Sequence, residues 1–206
     1  MTVSTLLYFL GASIALTLAP GPDNIFVITQ GITLGRKPAI VTALGMCSGI
    51  SVHTTAAALG ISAMFYSSVL AFNLVKYAGA FYLLYLACMT LKHRSSLRLA
   101  AADNRGLAAL FKRGFIMNVL NPKVALFFLA FLPQFVSAGS GSMPLQMLFF
   151  GFLFMLQAII IFSLIGYFSG GIGSYIIERP GFARYFDFLT AGVFTSLAVR
   201  LALAQR

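Results

Sequence analysis

Four ionisable side chains stand inside long apolar runs: Asp23, His53, Lys76 and Lys123. Two of them follow a proline, in LAPGPDNIF at 18–26 and in NVLNPKVAL at 118–126. Pro20, Pro22 and Pro122 each remove a backbone donor and free a carbonyl of the preceding turn, and Gly21 lets the chain bend or a ligand approach. Amides freed at such a break attract anionic groups, and freed carbonyls attract cationic ones. One carboxylate and one ammonium beside two breaks suit a zwitterion, with Asp23 toward its ammonium and Lys123 toward its carboxylate.

The elements that hold these residues are set by composition. The chain has 206 residues, 60% hydrophobic and 9% charged, and a mean hydropathy of +0.94. A soluble domain is about half apolar and a quarter charged, so this is expected to be an integral membrane protein in contact with the lipid bilayer. The formal charge of +10 does not point to nucleic acid, because the basic residues lie between the apolar runs rather than in a folded basic domain. Cys47 and Cys88 read as packed thiols, with no CxxC and no metal-ligand spacing, so neither metal nor cofactor is expected. Residues 1–17 lack a basic leader, which argues against a cleaved signal peptide.

Apolar runs place six transmembrane helices near 3–33, 39–66, 68–91, 114–136, 145–168 and 185–204. Pro38 and Pro144 fall where a helix tolerates proline, in its first turn. The 92–113 stretch is the long polar connection, and Asp103 could cap a short interfacial helix leading into the fourth span. Lys and Arg crowd the first–second, third–fourth and fifth–sixth connections, while the other side holds only Arg206 outside the spans. That bias puts the charged connections in the cytoplasm and both termini outside. Tyr8, Tyr66, Tyr167 and Tyr185 near span ends are the interfacial anchors, and Gly45, Gly49, Ala56 and Gly60 form a stripe for close helix packing.

Depth follows from the rise per residue. Asp23 is roughly 19 Å along the chain from Arg36, and Lys123 roughly 15 Å from Arg113, so both lie near the middle of a ~30 Å core. A charge there costs at least ~2.5–3.5 kcal/mol and should face a cavity or a partner. Each site also has a plainer reading: Lys76 snorkelling to the outer surface, His53 a neutral core residue, Asp23 and Lys123 a structural ion pair. One proline-linked charge sits in an inward span and the other in an outward span. The fold expected is therefore all-α, a single domain built as a 3+3 inverted repeat with broken first and fourth helices.

At these residues the chain resembles the LysE/RhtB-type exporters of amino acids. The likeness runs through LAPGPDN at 18–24, KYAGAFYLLYLA at 76–87, GFIMNVLNPKVALFF at 114–128 and PQF at 133–135. It implies an antiporter that exports an amino acid or close derivative across the bacterial inner membrane, driven by proton influx. Pro20, Gly21, Pro22, Asn121, Pro122 and Lys123 match the central motifs of that family. Asp23, Asn24 and Gln157 complete the expected substrate path, with Phe26, Phe127 and Phe128 as further lining. Ala87 stands where the family often has glycine, and Gln157 where some members carry an acidic residue; if that residue carries the proton in them, this chain uses Asp23 or His53 or couples differently.

Rival readings are weaker. No GxxxxGK[ST] loop is present, so ATP does not drive this chain directly. Export of a metal ion or other small solute would want His, Cys and carboxylates together, and here they are dispersed. An intramembrane hydrolase would need a serine facing His53, but Ser48 and Ser51 are ill-placed on a helix and no GxSxG occurs. The sequence sets no copy number and is compatible with a homo-oligomer.

Overall fold

The computed structural model describes residues 2–19, 21–67, 69–92, 106–173 and 180–203. Every regular element among them is helical. Two short helices, α1 (Val3–Leu18) and α2 (Pro22–Leu34), meet at a 59° bend. Long helices α3 (Arg36–Ser67) and α4 (Val69–Lys92) follow. The order then repeats: α5 (Leu107–Val119) meets α6 (Pro122–Leu126) at a bend of 47°, and α7 (Met143–Phe168) and α8 (Pro180–Leu203) follow. α6 runs on through a π-helical segment, Phe127–Phe131, and a 3₁₀ turn, Leu132–Phe135. A second π-helical segment, Ser169–Gly173, extends α7.

Local chemistry explains the punctuation. The Thr2 hydroxyl accepts from the Thr5 amide at 3.3 Å and caps α1. Gly35 adopts φ 91°, a conformation that side chains disfavour, and parts α2 from α3. Pro38 and Pro144 do stand in the first turns of α3 and α7.

The exterior differs from that of a water-soluble bundle. Leu59, Leu70, Phe81, Leu145 and Leu203 are largely exposed, whereas Thr29, Gln30, Thr42, Asp23 and Lys123 are buried within a mainly apolar core. An apolar exterior with its charged groups turned inward is the pattern a lipid solvent selects. Among the described residues, Arg36–Gly60 and Met143–Gly171 are long and apolar enough to cross a membrane, and each bent pair taken as one span raises the number to four.

Glycine brings the backbones together. A Cβ on Gly45 would strike the carbonyl of Phe111, and one on Gly114 would strike that of Thr42, so α3 and α5 pack main chain to main chain. On another face of α3, Gly151 of α7 receives Thr54, and Gly166 receives Ala39. The expected glycine stripe is therefore half right. Gly45 and Gly49 are in it, but Ala56 is exposed and Gly60 faces open space. Two boundaries also move: α5 begins at Leu107 rather than 114, and α8 at Pro180 rather than 185. Hydropathy under-reads both starts, because LAALFKR and PGFARYFD carry charged residues that lower the local mean without ending the helix. Asp103 and Pro20 lie outside the described residues, as do most of 92–113, Arg206 and the side chain of Tyr66.

Gly45→Ala should destabilise the protein by on the order of 1–3 kcal/mol, because its Cβ meets backbone that cannot step aside. Gly60→Ala is the control and should be neutral or slightly stabilising. Melting in detergent measures both, and equal shifts would refute the packing account.

Candidate functional site

Pro22 and Pro122 each occupy the first position of a helix, α2 and α6, immediately after a bend. Both prolines are exposed, and the charged residue after each is buried. Asp23 and Lys123 thus hold the same position in their helices and turn toward each other, with Lys123 Nζ 3.4 Å from Asp23 Oδ2. The expected pair is formed.

The pair is held unequally. Asp23 Oδ1 accepts from Asn121 Nδ2 at 2.7 Å, while Asn121 Oδ1 accepts the Lys123 amide at 3.0 Å and caps α6. The carboxylate also lies in the first turn of α2, where the helix dipole favours negative charge. Lys123 Nζ has longer contacts, 3.3 Å to the Ala19 carbonyl and 3.4 Å to Asp23. An ammonium with three donors is not saturated by two long contacts. Gly21 makes room for it: a Cβ there would lie 3.2 Å from Nζ and 3.7 Å from Asp23 Oδ1. Its backbone is extended, at φ −173° and ψ 175°, so glycine is needed here for space and not for conformation.

Proline arithmetic explains the remaining partners. Pro22 deprives the Leu18 carbonyl of its donor, and Asn24 Nδ2 supplies one at 3.2 Å, with a second bond of 2.8 Å to Ala19. Pro122 does the same to Asn118, whose carbonyl accepts from His53 Nε2 at 3.0 Å and from the Asn121 amide at 2.9 Å. His53 is thus a brace on the second bend, with its ring 6.0 Å from that of Phe128. Gln157 reaches α1 as well, donating to Thr17 Oγ1 at 2.9 Å and to the Ser13 carbonyl at 3.5 Å. Thr17 spends its own proton on Ser13, so Gln157 must offer nitrogen there and turn its oxygen away. Asn24 Oδ1, Asn118 Oδ1 and Gln157 Oε1 are consequently buried acceptors with no protein donor.

Of the expected residues, Gly21, Asp23, Asn24, Asn121, Lys123 and Gln157 converge on the end of α1 and the start of α2 and α6. His53 joins them through Asn118. Lys76 does not: it is buried on α4 with its ammonium 4.5 Å from the Tyr77 ring centroid. Asp187 of α8 is a buried carboxylate that the sequence reading overlooked, because it fell at the edge of a span drawn from 185. Thr17 and Asn118 were overlooked too, although Asn118 lies four residues before a proline and could have been found by that spacing. No group of three potential metal ligands occurs among the described residues. Phe9, Phe127, Phe128 and Phe154 form a buried aromatic cluster, with Phe127 5.4 Å and Phe128 5.1 Å from Phe154 and Phe128 beside His53.

The family model described as LysE type translocator matches residues 14–205. A leucine efflux protein of Salmonella typhimurium is 30% identical over 96% of this chain and 94% of its own. Uncharacterized membrane proteins of Vibrio cholerae and Bacillus subtilis are similar at 28% over both whole chains and at 25% over 97% and 99%. No solved structure matches.

Gly21→Ala should destabilise the protein by on the order of 1 kcal/mol, because the added Cβ lies 3.2 Å from the Lys123 ammonium and pushes it from the Asp23 carboxylate. Melting in detergent checks this, and an unchanged midpoint would mean that the ammonium shifts at no cost to the pair.

Proposed function

The chain belongs to the family of LysE type translocators, and from that premise we propose that it exports an amino acid with an apolar side chain, in exchange for protons, across the bacterial inner membrane. The observation that carries the reading is the Asp23–Lys123 pair, buried between two helix breaks. Substrate ammonium displaces Lys123 from Asp23 and finds further acceptors among Asn24, Asn118 and Gln157, while its carboxylate takes Lys123. The buried phenylalanine cluster favours an apolar side chain, and leucine efflux relatives support the same choice.

Six spans in two inverted halves fit this activity. Each half is a bent pair followed by two helices, and the corresponding helices pack together, α3 on α7 and α4 on α8. The basic connections face the cytoplasm and both termini face outward. In this orientation Gly35 marks the cytoplasmic end of α2.

Coupling resides in the pair. The substrate ammonium and the coupling proton are rivals for the Asp23 carboxylate, so one leaves before the other binds and the two cross in opposite directions. His53 is the rival carrier, yet its bond to Asn118 favours a bracing role.

Inside-out vesicles with an imposed pH gradient test the function: wild type should accumulate leucine unchanged. Asp23→Asn should permit leucine exchange and abolish gradient-driven accumulation, whereas His53→Gln should retain accumulation. Uncoupling by the His53 change alone would reverse the assignment.

Orientation has its own check. An impermeant maleimide should label Ser140→Cys in whole cells and Lys37→Cys only after lysis, and the opposite pattern would invert the proposed topology.

A further inference from the structure

Gln30 is wholly buried, yet neither its amide nitrogen nor its amide oxygen has a hydrogen-bond partner. It continues a line on α2: Asp23, Phe26, Val27 and Gln30 have the i, i+3, i+4, i+7 spacing of one helix face, and all four are buried. Gln30 therefore lies ~10 Å along α2 from the ion pair, toward Gly35. Buried amides are nearly always paired, because an unpaired one loses its hydration and gains nothing in return. A wholly unpaired glutamine on the face that carries Asp23 calls for a ligand or a second conformation.

α2 is a 13-residue rod that begins at the 59° bend and ends at Gly35, where φ is 91°. Its far half is sealed by small groups: a Cβ on Gly31 would strike Ser169 and the carbonyl of Gly166, and one on Gly170 would lie 3.3 Å from the Gly31 carbonyl. Those partners belong to the end of α7 and the π-helical Ser169–Gly173 segment. Such a seal separates without unlocking large side chains.

We propose that Gln30 is a second station for the substrate, on the cytoplasmic side of the ion pair. When the Gly35 half of α2 parts from the Ser169 segment, the amide opens onto the route to Asp23 and Lys123. Nε2 then donates to the amino acid's carboxylate and Oε1 accepts from its ammonium. Closure strips the amide of partners, which drives the substrate onward to the pair and keeps the closed state from becoming a trap. The inference rests on the export reading and on the orientation given above.

Sided kinetics test it. With leucine as probe, Gln30→Leu should raise KM about tenfold at the cytoplasmic face, measured in inside-out vesicles, the loss expected for a hydrogen bond to a charged group. Exchange from the outer face, measured in right-side-out vesicles, should keep its KM within about twofold. Unchanged values on both faces, or equal changes on both, would overturn the station and leave Gln30 as packing. Gln30→Cys, in a background carrying Cys47→Ala and Cys88→Ser, decides the matter if the leucine variant fails to reach the membrane. Its thiol should react with an impermeant maleimide in inside-out vesicles only, more slowly when leucine is present. No reaction there would overturn the inference as well. Wild-type vesicles that move no amino acid would sink the export reading itself, a result seen before any variant is compared.

Discussion

A carbonyl without a donor is the constraint around which this interior is arranged. Proline at 22 and 122 removes the amides that would have bonded Leu18 and Asn118, and a lipid environment offers no water to replace them. The protein must send donors from elsewhere, and it sends them from different elements. Asn24 of α2 serves Leu18, and His53 of α3 serves Asn118. Lys123 of α6 and Gln157 of α7 reach the same last turn of α1. Two of these bonds serve carbonyls that the prolines freed, at Leu18 and Asn118, and glycines at 45, 49 and 114 let α3 and α5 come close enough for the second to form.

The ion pair inherits its asymmetry from the same breaks. Asp23 and Lys123 occupy equivalent positions at helix N-termini, but a helix N-terminus favours only the carboxylate. Lys123 escapes its own helix by reaching the carbonyl end of α1, at the cost of long contacts. Asn121 binds the carboxylate tightly and caps α6 with the same side chain. The anion is thus fixed while the cation is loosely tethered, as suits a site where one partner must be given up.

Much of this was legible before any coordinates. Asp23 and Lys123 follow prolines at similar depth with opposite charge, so their pairing could be deduced from spacing and cost alone. The apolar runs at 39–66, 68–91 and 145–168 anticipated long helices, and a break was expected where each bend lies. What escaped was whatever depends on helix rotation rather than depth. Gly60 has the spacing of a packing residue but faces open space. Gln30 and Asp187 are polar residues whose burial reflects the neighbouring helix and not their own segment. Charged stretches at the starts of α5 and α8 hid helix from a hydropathy reading, because charged residues lower the local mean without ending the helix.

Two opposite charges 3.4 Å apart sum to nothing. Moving such a pair through a transmembrane field does no electrical work beyond that of a small dipole, whereas one unpaired charge would gain or lose about 2.3 kcal/mol per 100 mV. The buried pairing therefore leaves voltage little to pull on at the two bends, where either charge alone would feel it.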